Sequence, residues 1–263
     1  MINTPEQPPV EQRDEPRYLR LPTTRPVWTY ILLGSIVVVF LAGVAADVLA
    51  GGDAVTAVTR GSQAFLNYGA KVNAALLAGE YWRFITPVFL HVGIIHILFN
   101  GYFLYVMGPQ LEAVFGYGRF LLIYFAAGIW GVIFSLAFSD RPSAGASGAL
   151  FGILGALAVF FYVNRRGFGL AGQSQLRSIL TVAGLNLLIG LTPGIDNWGH
   201  IGGMAGGALL AWLIGPRYAS ALDQIGRPIV IDTRSPYTTL PWAGGFYLAT
   251  AALAVVALRM AAR

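Results

Sequence analysis

Seven stretches of this 263-residue chain run without a single Asp, Glu, Lys or Arg: residues 26–46, 84–111, 120–139, 142–164, 178–195, 197–216 and 235–258. Crossing a bilayer as a helix takes about 17–25 largely apolar residues, and each stretch is long enough. A lone backbone in hydrocarbon finds no water to bond, so such segments are helical. Charged residues make up 11% of the chain, too few to clothe a water-facing surface, where about 25% is usual. The mean hydropathy of +0.64 agrees. The expected fold class is an all-α polytopic membrane protein with seven transmembrane helices. With no cysteine, disulfides and Cys-based metal or redox centres are excluded. The net charge of +5 gathers in no basic run suited to nucleic acid.

Lys and Arg set the orientation. With the N-terminus inside, the inner segments hold eleven of them and the outer segments six, which favours a cytoplasmic N-terminus and an outer C-terminus. The first apolar segment is too long and too late in the chain for a cleaved signal peptide. Residues 1–25, polar and Pro-rich, read as a disordered cytoplasmic tail. Residues 26–216 read as a six-span core with an outer loop at 51–90, residues 217–240 as a cytoplasmic linker and 241–263 as a seventh span. Part of the long outer loop is expected in the membrane interface, since Tyr81, Trp82 and Phe84 suit the headgroup region. The absence of an evident transit peptide favours a bacterial plasma membrane over an organelle.

Polar residues at membrane depth carry the functional signal. His96 and Asn100 are four apart and share a helix face. Ser147 opens its span within "GASGALFG", and His200 opens another within "GHIGGMAGG". All three spans run from outside to inside, so these four residues lie in the outer half of the membrane. Polar groups at such depth usually face a bundle interior or a hydrated cavity. Gly148, Gly152 and Gly155 on one span, and Gly199, Gly203 and Gly207 on the other, let the two backbones approach closely. Packing on those faces brings Ser147 within reach of His200, the minimum for nucleophilic catalysis. His96, Asn100 and the Ser147 amide are candidate donors to an oxyanion. Gly145 and Gly148 leave room for a substrate strand. Asp196 is the one carboxylate near His200, but it belongs to the outer loop, so the pattern reads as a dyad. Phe151, one turn past Ser147, is placed to hold the imidazole by stacking. His91 reads as interfacial and structural, and Arg83 with Trp82 as a loop anchor.

Each feature also has a simpler reading. A serine among glycines packs helices, His96 with Asn100 bonds helices together, and a lone histidine serves a proton relay. A transporter would require further charged groups across the membrane, and the inner halves of the spans between 84 and 216 show none. Four such residues at one depth favour a catalyst over a purely structural protein.

These residues resemble those of the rhomboid intramembrane serine proteases over roughly residues 66–217. "EYWRFITPVFLH" resembles the family's outer-loop signature with Trp-Arg, "HILFN" its His and Asn four apart, "GASGALFG" its nucleophile motif and "GHIGGMAGG" its catalytic-histidine motif. The order and spacing also match. The resemblance implies Ser147 as nucleophile and His200 as base, with His96, Asn100 and the Ser147 amide at the oxyanion. It implies Phe151 packed on His200, and Trp82 and Arg83 in the structural outer loop. Substrates would be membrane-anchored proteins cut in or near a transmembrane segment, with no metal or organic cofactor and no nucleic acid. Many members have Ala before the catalytic histidine where this chain has Gly199. Inactive relatives that bind membrane clients are the alternative; they typically lack the serine or the histidine, and this chain keeps both.

Overall fold

A computed structural model describes residues 21–263; residues 1–20 of the expected tail lie outside the described residues. Among the described residues the chain forms α1 (Trp28–Leu49), three short outer-loop helices α2 (Ala54–Arg60), α3 (Gln63–Gly69) and α4 (Asn73–Leu77), then α5 (Gly93–Phe138), α6 (Ser147–Val163), α7 (Arg165–Ile189) and α8 (Asn197–Ile214). A hairpin of β1 (Tyr218–Leu222) and β2 (Pro228–Asp232) precedes the final helix α9 (Pro236–Ala261). The protein is an all-α polytopic membrane protein. By length and composition alone, α1, α5 and the 237–261 part of α9 are apolar enough to cross a membrane, and α6 is a shorter apolar helix. Glycine, His200 and Asn197 lower the hydropathy of α8, and paired arginines open α7.

Two expected spans are joined in α5. Its φ of +74° and ψ of +169° at Gly116 turn a corner that divides it into 93–115 and 117–138. Such a φ favours glycine. Both helices run past the charges that bounded the sequence windows, because those charges have partners. Glu112 is fully buried, and its carboxylate accepts from Val27 N–H (2.8 Å), Trp28 N–H (2.7 Å), Thr29 N–H (2.7 Å) and the Thr29 hydroxyl (2.6 Å). One carboxylate thus satisfies the open donors at the start of α1, where negative charge also suits the helix dipole.

The packing centre is α6 against α8, with 117–138 of α5 closing the third side. Glycines make this possible. A Cβ on Gly207 would lie 2.5 Å from Gly152 Cα, and one on Gly131 would lie 2.9 Å from Gly199 O and 3.4 Å from Gly148 Cα. Three backbones therefore meet near the start of α6.

The segment read as a linker is mostly ordered. Tyr218 to Leu222 pairs antiparallel with Asp232 to Pro228. Arg119 ties this hairpin to α5 through Asp232 (2.6 Å) and the Arg234 carbonyl (2.7 Å). Arg234 donates to the Trp212 and Leu213 carbonyls at the end of α8.

Candidate active site

Ser147 is the first residue of α6, and its predecessor Ala146 offers no side-chain cap. The amides of the first turn therefore point outward as open donors, at the positive end of the helix dipole. Two residues earlier, Gly145 adopts φ +133° and donates its N–H to the Pro87 carbonyl (2.9 Å). A Cβ at Gly145 would lie 2.6 Å from His96 Cε1 and 2.8 Å from His96 Nε2. The His96 ring thus lies directly against the strand that leads into Ser147.

The His96 ring is set by its own helix start. Its Nδ1 accepts from Val92 N–H at 3.4 Å, a long bond. A neutral imidazole that accepts at Nδ1 carries its hydrogen on Nε2. That hydrogen is on the nitrogen nearest Gly145. Asn100, one turn along, donates one amide hydrogen to the His96 carbonyl (3.0 Å), while its buried Oδ1 has no partner. The second amide hydrogen remains for another acceptor.

His200 is buried near the start of α8, with its ring stacked on Phe151 at 4.3 Å between centroids and 13° between planes. Phe151 is four residues past Ser147, one turn along the same face of α6. The stack therefore turns the Ser147 face of α6 toward α8. No hydrogen bond joins Ser147 Oγ to His200 among the described residues, and His200 Nδ1 has no partner. Catalytic hydrogen bonds are often long in unliganded sites. The Asp196 carboxylate accepts from Gly199 N–H (3.1 Å) and caps α8.

Trp82 and Arg83 sit apart from this cluster. Arg83 is buried and donates to the carbonyls of Ala70 (2.6 Å) and Asn67 (2.6 Å) and to Glu80. Trp82 donates to the Tyr68 carbonyl (2.9 Å). Both fasten the outer loop to itself. His91 lies edge-on to His96, ring centroids 5.2 Å apart, with the Phe89 backbone beside its ring. Burial, with His96 adding to it, pushes His91 down to about 3, so it is neutral at physiological pH. Sequence reasoning missed Lys71, whose ammonium bonds only backbone carbonyls. Every residue carries a carbonyl, so such partners leave no mark in the sequence. No cluster of metal-ligating side chains occurs among the described residues.

Residues 78–217 match a family model described as the Rhomboid domain. The chain is 44% identical to rhomboid protease GluP of Bacillus subtilis over 62% of its own length and 32% of the relative's. It is 40% identical to RHOMBOID-like protein 7 of Arabidopsis thaliana over 51% of its length and 43% of the relative's. With rhomboid-type serine protease 2 of Emericella nidulans it shares 34% identity over 61% of its length and 31% of the relative's. The aligned region spans about a third to somewhat under half of these relatives.

Proposed function

The chain belongs to the rhomboid family, and from that premise we propose that it is an intramembrane serine endopeptidase acting on membrane-anchored proteins. The relatives named as proteases support peptide-bond hydrolysis in general. The observation that carries the finer reading is the His200 ring stacked on Phe151, one helical turn from Ser147.

In this reading the His200 imidazole takes the Ser147 hydroxyl proton as the oxygen attacks the scissile carbonyl carbon. Negative charge develops on the carbonyl oxygen. His96 Nε2–H, the free Asn100 amide hydrogen and the Ser147 N–H are the donors that meet it. The tetrahedral adduct collapses, the C–N bond breaks, and the leaving amine takes the proton from His200. Water then attacks the Ser147 ester with His200 again as base, returning the free serine and releasing an acid. Phe151 holds the base in place of a carboxylate, since Asp196 is engaged at the start of α8. A peptide bond inside a helix is shielded by its own turn, so the substrate unwinds locally, most readily at weak helix formers such as Gly and Pro. Cleavage falls toward the outer end of the substrate helix.

A fluorophosphonate probe with intact-mass analysis tests this. One adduct on the wild type, absent from Ser147→Ala and His200→Ala, is the expected result. No adduct on folded wild type with probes of several sizes overturns it in favour of client binding without catalysis.

A further inference from the structure

Lys71 lies in the outer loop between α3 and α4, and its side chain is fully buried. Its backbone forms a two-way bridge to the segment before the candidate nucleophile: Lys71 N–H donates to Ser143 O (2.8 Å) and Ser143 N–H donates to Lys71 O (3.0 Å). Its Nζ donates to the carbonyls of Ser139 (2.6 Å), Ser135 (3.1 Å) and Arg141 (3.1 Å). An ammonium has three hydrogens, and all three are used. Ser135 belongs to the last turn of α5 and Ser139 caps it, so the positive charge sits at the negative end of that helix. Asp140 and Asp196 add favourable charge, and the Asn73 amide donates to Ser139 O and Asp140 Oδ1, both at 3.2 Å. Burial lowers Lys71 to about 8, which leaves the ammonium charged at neutral pH.

Residues 139–145 are exposed or half-buried. Apolar packing does little to place them. Their ties are Lys71, Asn73 and the Gly145 N–H bond to Pro87 O. Lys71 thus joins the end of α5 to the strand that delivers Ser147. We propose that Lys71 is a positioning residue, whose ammonium and backbone bridge hold 139–146 so that Ser147 meets His200 and the oxyanion donors in attacking geometry. The proposal rests on Ser147 being the nucleophile.

Lys71→Met keeps the chain length and removes the ammonium. On a transmembrane peptide substrate its kcat is expected to fall about a hundredfold, the cost of an ångström of misplacement, with KM little changed. In hydrogen exchange, amides of 139–146 lose protection while α5, α6 and α8 keep theirs. Lys71→Arg, which keeps charge and donors, recovers most of kcat. Asn73→Ala removes one tie to the same Ser139 carbonyl and is the milder variant, expected to lower kcat in the same direction by less. Unchanged kcat in both Lys71→Met and Asn73→Ala overturns the proposal. So does protection lost evenly through α5, α6 and α8, which marks a general stabilising role. Wild type with no Ser147 adduct overturns the nucleophile reading itself, and the exchange pattern of 139–146 separates that failure from a failure of Lys71 to hold the segment.

Discussion

Gly145 is the residue where backbone conformation and site geometry coincide. Its φ of +133° strains any side chain, and a Cβ would meet His96 Cε1 at 2.6 Å. Such strain costs about 1–3 kcal/mol, and the displaced imidazole is the larger loss. Gly145→Ala is expected to cut the rate of fluorophosphonate labelling about a hundredfold, with thermal stability only modestly lowered. Normal labelling by that variant removes His96 from the reaction. His91 makes a different prediction. Its value falls from 6.5 unfolded to about 3 folded, so between these pH values the unfolded chain holds a proton that the folded chain lacks. Stability therefore rises with pH across that window and is lost as pH drops from 6.5 toward 3. The unfolding midpoint should fall between neutral pH and about pH 4, and should fall less in His91→Leu. Equal falls in the two proteins refute this linkage.

Among the elements, α6 and α8 depend on glycine and α9 does not. A Cβ on Gly207 meets the Gly152 backbone, which cannot rotate away, whereas a Cβ at Gly244 finds nothing within 4 Å. Gly207→Ala is expected to destabilise by about 1–3 kcal/mol through overpacking. Gly244→Ala is expected to be neutral or stabilising by up to about 1 kcal/mol, the helix-propensity gain over glycine. Denaturation of both variants in detergent checks the contrast. Helix α7 stands apart: it buries only Gly172, Ile179 and Ala183 and meets α8 sparsely. Few buried contacts mean low local stability, so its amides should exchange faster than those of α6. The start of α1 rests on Glu112. Charge-free stretches marked both helices, but an apolar run says nothing of which carboxylate closes a distant helix end.

For the whole molecule the central expectation is the side of the membrane. Eleven positive residues against six favour a cytoplasmic N-terminus. The chain has no cysteine, so single introduced thiols report cleanly. In intact cells an impermeant maleimide should label Ala262→Cys and spare Ser220→Cys on the hairpin; the reverse pattern overturns the orientation. That hairpin marks the limit of the sequence reading, since the polarity of 217–240 reads as linker while its order depends on Arg119, more than a hundred residues away. By itself the sequence determined that the chain is a polytopic helical membrane protein, because hydrocarbon excludes charge and open backbone, and it singled out the polar side chains that are candidates for chemistry. The spacing also pointed to Phe151 stacked on His200; only the tertiary structure decided the other contacts, His96 against Gly145 and Lys71 on three carbonyls. Such contacts join distant segments through rings and backbone atoms, and their geometry exists only once the glycine-faced helices have packed.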